Sequence, residues 1–122
     1  MNFENDKFNE ASWNLQEDLK TMIRVTNLIE DLKDFLGGMT YTVQVILESG
    51  ENFYLQMNDR RMAGDLGRTA SPTIISEPLS TYRAFHLLNG NPEFDIELFH
   101  GDTETILHFM DYLEMFDSVV HA

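Results

Sequence analysis

The chain has 122 residues, 21 acidic and 8 basic side chains, and a formal net charge of −13 at pH 7. This length suits one domain with a buried core, and we expect residues 1–122 to form a single domain. The negative charge disfavours direct binding to nucleic acid or to an anionic membrane, and it favours a basic protein partner. Cysteine is absent, which excludes disulfides and thiolate metal sites.

The hydropathy of the chain bears on its location. No apolar run approaches the roughly 20 residues that a membrane-spanning helix needs. The first residues also lack the basic and apolar regions of a signal peptide. We therefore expect a cytoplasmic protein.

The longest periodic segment covers residues 8–36. Apolar side chains recur there every seven positions, at Phe8, Leu15, Met22, Ile29 and Leu36. This spacing places them along one side of an α-helix. Candidate N-terminal caps are Asn5, Asp6 and Asn9. Gly37 and Gly38 predict the end of the helix, because glycine accepts left-handed backbone angles.

This apolar stripe has two interpretations. It is either a core helix covered by the chain's own sheet or the seam of a coiled coil that makes a homodimer. Asp18 and Lys33 interrupt the stripe and weaken the coiled-coil interpretation. Trp13, the single tryptophan, projects nearly opposite the stripe. It marks either a contact with a partner or a side covered by another element of the domain.

A hairpin is predicted next. Residues 39–48 alternate, with Tyr41, Val43, Val45 and Leu47 pointing one way. Ser49 and Gly50 form a short turn, and alternation resumes at Phe53, Leu55 and Met57. Two alternating runs joined by a short turn predict an antiparallel β-hairpin.

Residues 58–71 interrupt the alternation and predict a long loop. This segment contains Gly64, Gly67 and three arginines, Arg60, Arg61 and Arg68. It matches no phosphate-binding pattern, and Asp65 would repel an anion. We therefore expect these arginines to pair with carboxylates of the same protein.

The rest of the chain predicts a short strand at 72–76, a helix at 79–88, a strand at 94–99 and a helix capped by Asp102. The order of elements favours the α+β class. We expect a small, mostly antiparallel sheet of three or four strands, packed with a long N-terminal helix, a short middle helix and a C-terminal helix.

The final third of the chain is distinctly acidic. Residues 84–122 contain eight acids and neither lysine nor arginine. Carboxylates spread over a strand and a helix present negative charge at intervals, much as a phosphate backbone does. We predict that these groups and Trp13 bind a basic protein partner, although a solvated helix face explains the same pattern equally well. The acids are Glu93, Asp95, Glu97, Asp102, Glu104, Asp111, Glu114 and Asp117.

Signals for catalysis are weak. His100 with Asp102, and His108 with Asp111, are the closest histidine–carboxylate pairs, and neither matches a zinc spacing. The sequence has no nucleophile elbow, phosphate loop or dinucleotide fingerprint. We therefore expect no metal, no cofactor and no enzyme activity.

In size and charge alone, the chain is comparable to phage-encoded inhibitors of host defence and to immunity proteins of nuclease toxins. The sequence thus favours an inhibitor that occupies a basic surface, such as that of a nucleic-acid-binding enzyme. The alternative is a homodimeric scaffold or regulatory protein that pairs through its N-terminal helix.

Overall fold

The computed structural model describes residues 8–91 and 94–122. Within these residues the chain forms four α-helices, one 3₁₀ helix and a five-stranded sheet. The helices are α1 (Leu15–Leu28), α2 (Glu30–Phe35), α3 (Thr81–Leu88) and α4 (Thr103–Val120). The strands are β1 (Thr40–Ile46), β2 (Asn52–Asn58), β3 (Met62–Leu66), β4 (Ile74–Ser76) and β5 (Phe99–Gly101), and the 3₁₀ helix (Ile96–Leu98) precedes β5. None of these helices is long and apolar enough to cross a bilayer.

The sheet is mixed, with the order β3-β2-β1-β4-β5. Neighbouring strands are antiparallel except for β1 and β4, which run parallel. The predicted α+β class is confirmed, with slightly more strands than expected. β3 accounts for part of the difference, because it lies within the segment predicted as a loop.

The predicted hairpin is confirmed by β1 and β2. Val43 pairs with Leu55 and Val45 pairs with Phe53, and all four side chains are fully buried. Alternation along a strand sends such residues to one face. The buried face of the hairpin therefore forms the floor of the core, and the helices pack over it.

The predicted single helix over residues 8–36 is wrong in extent. Helix α1 begins only after Asn14, whose side-chain oxygen accepts a hydrogen bond from the Glu17 amide at 3.1 Å. Ile29 then adopts an extended conformation, with φ −91° and ψ 118°, which separates α1 from α2. Neither glycine nor proline marks this break. Its effect is to bury Leu32 and Leu36 completely. Of the predicted caps, Asn5 and Asp6 lie outside the described residues.

The apolar stripe belongs to the chain's own core. Leu15, Met22 and Leu36 are buried, and Ile29 is partly buried against them. The Phe8 ring lies 5.0 Å from the Phe85 ring, between centroids. The stripe therefore packs within the chain's own domain, and the homodimer stays a prediction.

The β2–β3 connection is a two-residue turn rather than a long loop. Asp59 and Arg60 have φ values of 41° and 72°, the left-handed geometry that such hairpin turns require. The turn is tied to α2, because the Arg60 guanidinium contacts Asp34 and also Glu30, the latter at 2.7 Å. The Gly38 amide donates to Asp59 at 2.8 Å. The predicted pairing with the protein's own carboxylates is thus confirmed for Arg60.

The strand predicted at 94–99 is also displaced. Residues 96–98 form a 3₁₀ helix, and the strand covers only Phe99–Gly101. The Asp95 side chain accepts a hydrogen bond from the Glu97 amide at 3.1 Å, which favours a turn over an extended chain. The predicted cap of α4 is confirmed, since Asp102 accepts from the Thr105 amide at 3.0 Å.

One buried polar contact joins α1 to α4. The Thr26 hydroxyl donates to the Met22 carbonyl at 2.7 Å, and it lies 2.6 Å from the Tyr112 hydroxyl. Because the Thr26 proton is already used, the Tyr112 hydroxyl is the donor in the second bond. Both residues are fully buried.

The two partners of this contact should respond differently to substitution. Thr26→Val leaves the buried Tyr112 donor without an acceptor, so we expect a loss of about 1–3 kcal/mol in the free energy of unfolding. Tyr112→Phe leaves Thr26 bonded to Met22, so we expect a loss of only about 0.5–1.5 kcal/mol. Urea denaturation measures both losses. A larger loss for Tyr112→Phe would contradict the assigned donor.

Gly64 allows close packing of β3. A Cβ atom there would lie 2.4 Å from the Tyr54 carbonyl oxygen and 3.3 Å from Ile23 Cδ1. We expect Gly64→Ala to lower the free energy of unfolding by about 1–3 kcal/mol, because the backbone must shift to make room for the added methyl group. Ala63→Ser, at the exposed neighbouring position, should change it by less than about 0.5 kcal/mol. Equal urea midpoints for the two variants would show that β2 and β3 make room for the added methyl group without loss of stability. That result would contradict the expectation.

Candidate functional site

The exposed face of α4 carries a row of carboxylates. Its exposed positions include Glu104, Leu107, Asp111, Glu114 and Ser118, spaced three or four residues apart. Residues at this spacing share one face of a helix. The opposite face, which includes Phe109 and Leu113, is buried in the core. The structure therefore brings together three of the predicted acids, Glu104, Asp111 and Glu114, which we call the acidic row.

An open groove of about 880 Å³ lies between α2 and α4. Four exposed carboxylates line it, two from each helix, and we refer to it as the α2–α4 groove. Between them lie three half-buried apolar side chains that pack against the core. The carboxylates are Asp31, Asp34, Asp111 and Glu114, and the apolar residues are Phe35, Met115 and Val119. The groove thus combines acidic edges with an apolar floor.

The charge of the groove is largely uncompensated. Asp34 forms an ion pair with Arg60. Among the residues that the structure describes, no lysine or arginine forms an ion pair with Asp31, Asp111 or Glu114. Carboxylates held close together without counter-ions repel one another and attract cations.

His108 supports the floor of the groove from within. Its ring stacks on Phe35 at a centroid distance of 4.5 Å. Its Nε2 atom lies 3.2 Å from the Phe35 carbonyl oxygen, and its Nδ1 atom lies 2.9 Å from the Tyr41 hydroxyl. Because a carbonyl only accepts, Nε2 carries the proton and Nδ1 accepts from Tyr41. His108 therefore positions Phe35, and both of its ring nitrogens are engaged.

The other predicted acids that the structure describes do not line the groove. Asp95 and Glu97 are exposed on the 3₁₀ segment, and Asp117 lies 3.8 Å from Nε2 of His121. Glu93 lies outside the described residues. The hydroxyl of Thr105, at 2.7 Å, and its amide hold the pKa of Asp102 below its usual range, which suits a helix cap.

The candidate metal pairs also have other contacts. His100 Nε2 lies 2.9 Å from the Glu77 carboxylate. Within residues 8–91 and 94–122, no group of three or more histidine and acidic side chains is arranged to hold a metal ion.

Trp13 lies at the junction of α1 and α3. Its indole N–H donates to the Asp18 carboxylate at 2.7 Å, and the Asn89 amide donates to the same oxygen at 2.7 Å. The ring is half-buried, with the Phe8 and Phe85 rings each 6.1 Å away. Another element of the domain therefore covers this tryptophan, and it does not line the groove.

Asp31 and Asp34 are groove residues that the sequence did not single out. Within one continuous helix they belong to an ordinary polar face. Only the break at Ile29 and the packing of α2 beside α4 bring them opposite Asp111 and Glu114. The spacing of charges along the chain carries no signal for this arrangement.

Comparisons with known proteins give the fold alone. No family model matches the chain, and no curated protein matches it. A solved structure of a double mutant of the sec-alkyl sulfatase PisA1 is similar, with a TM-score of 0.52 and 13% sequence identity. The match covers 73% of this chain but only 17% of the sulfatase chain. A resemblance this distant, over so small a part of the sulfatase, says nothing about activity.

Two buried tyrosines, Tyr41 and Tyr112, should make the folded protein less stable at alkaline pH. Burial raises the pKa of Tyr41, with Tyr112 adding to the effect, and burial also raises the pKa of Tyr112. Both therefore stay neutral in the folded protein after they ionise in the unfolded chain. The free energy of unfolding should fall as pH rises above about 10, with a slope of up to about 1.4 kcal/mol per pH unit for each tyrosine.

Urea denaturation across the alkaline range measures this slope. We expect Tyr41→Phe to make it shallower and the double substitution with Tyr112→Phe to make it shallower again. A slope unchanged by both substitutions would contradict a role for these hydroxyls.

Proposed function

We propose that this protein is a non-catalytic inhibitor that binds a basic surface of a protein partner through the acidic row and the α2–α4 groove. The supporting observation is the placement of uncompensated carboxylates on two adjacent helices, around an accessible groove. Such a surface attracts a cationic patch over long range and excludes its natural ligand once bound.

A nucleic-acid-binding enzyme is the partner class that this surface favours. Asp111 and Glu114 of the acidic row lie three residues apart on one helix face, where Cβ atoms are about 5–6 Å from one another, and Glu104 lies seven residues, about two turns, before Asp111. Lysine and arginine side chains that bind phosphates along a nucleic-acid strand meet a similar series of anions. Occupation of that basic surface would block the enzyme, as anti-defence and toxin-immunity inhibitors do.

The chemistry of the groove supports a binding role rather than catalysis. The Ser118 hydroxyl donates to the Glu114 carbonyl at 3.1 Å, so its proton is engaged with the backbone. His108 is held by Tyr41 and the Phe35 carbonyl beneath the floor. Apart from Ser118, the side chains that line the groove are carboxylates, a phenyl ring, a thioether and a valine. This set favours ionic and apolar contacts.

Charge neutralisation in the groove tests this proposal. Asp111→Asn with Glu114→Gln should weaken binding of a fluorescent oligolysine probe by more than about fivefold, a loss near 1 kcal/mol. Glu48→Gln with Glu51→Gln removes the same net charge from the exposed β1–β2 turn and should leave affinity nearly unchanged. Fluorescence anisotropy at low and at physiological salt measures both affinities, and salt should weaken wild-type binding.

Equal losses in the two double variants would show that total charge, rather than the groove, attracts the probe. The same variants, tested against a partner captured from the native cell or its host, would then show whether inhibition follows the same order.

A further inference from the structure

The floor of the α2–α4 groove is apolar along α4 as well as along α2. Met115 and Val119, four residues apart on α4, both line the groove. They lie on one side of the helix and are about 6 Å apart along its axis, at 1.5 Å per residue. Phe35 adds an aromatic surface from α2. A purely ionic surface needs none of these side chains.

We propose that the groove binds an α-helix of the partner protein, with one apolar face flanked by lysine or arginine. This inference rests on the proposed function and specifies the element that the partner supplies. The apolar face of such a helix lies on Phe35, Met115 and Val119, and its basic flanks meet the carboxylates of both edges. Helix-in-groove recognition uses apolar anchors at helical spacing in this way.

The groove is open to solvent, so a helix can lie in it with its other side exposed. The unbranched side chain of Met115 adapts to different apolar anchors.

Other occupants fit less well. A small-molecule site buries most of its ligand, whereas this groove is open to solvent. A peptide that binds by adding a strand needs an unpaired strand edge, and the backbone groups of α2 and α4 are paired within their helices. Nucleic acid would face four carboxylates, only one of which is paired with arginine. A cationic amphipathic helix satisfies both the charge and the apolar floor.

A designed peptide pair tests the inference. One peptide of about 18 residues places leucines at helical spacing with lysines on the flanks, and the other has the same composition in shuffled order. We expect the patterned peptide to bind at least about tenfold more tightly than the shuffled one. Its helical circular dichroism signal should increase upon binding. Calorimetry measures the affinity of each peptide for the full chain.

Substitutions in the groove separate the apolar and the ionic contributions. Met115→Gln with Val119→Gln should weaken the patterned peptide by about tenfold and leave the shuffled one unchanged. Leu66→Gln is the matched control, because Leu66 is 40% exposed on β3 and does not line the groove. Met115→Gln alone provides a second variant if the double substitution disturbs folding.

The outcomes distinguish the two proposals. If both peptides bind equally and only Asp111→Asn with Glu114→Gln weakens them, the helix inference is overturned while the acidic-surface proposal stands. If neither peptide binds at low salt, both proposals fail. Binding of the patterned peptide that Leu66→Gln weakens as much as Met115→Gln would place the contact outside the groove and also overturn the inference.

Discussion

Burial of one face of the β1–β2 hairpin is the interaction on which the rest of the structure depends. Val43, Val45, Phe53 and Leu55 are completely removed from solvent. Full burial of such a side chain contributes about 1.5–3 kcal/mol. The helices that cover this face turn their apolar sides inward, so their polar sides must face solvent. The acidic row is thus the outward side of α4, whose inward side includes Phe109 and Leu113.

The position of α2 beside α4 turns this polar surface into a groove. The short helix begins after the extended residue Ile29 and inserts Leu32 and Leu36 into the core. Its exposed side then lies beside α4 and contributes Asp31 and Asp34 to the groove. Arg60 pairs with Glu30 and Asp34, so it stabilises α2 and partly neutralises one edge. The arginine therefore lessens the repulsion at that edge without covering the floor.

The resemblance to part of a sulfatase shows that this arrangement of helices and strands occurs in a protein with 13% identity to the chain. A fold hosts many functions, and the side chains placed upon it decide which one operates. In this protein the distinctive side chains are carboxylates around an apolar floor. The proposals therefore depend on the chemistry of the groove rather than on the fold.

The sequence by itself determined the elements whose signals are local. Alternation specified the β1–β2 hairpin, a helical period specified α4, and Asp102 was identifiable as its cap because capping involves residues only three apart. Only the tertiary structure decided the break at Ile29, the parallel pairing of β1 with β4 and the meeting of α2 with α4. Each of these depends on contacts between residues distant in sequence, which periodicity and propensity do not encode. The acidic character of the protein was therefore predictable from its composition. The groove that brings carboxylates of α2 and α4 together was not.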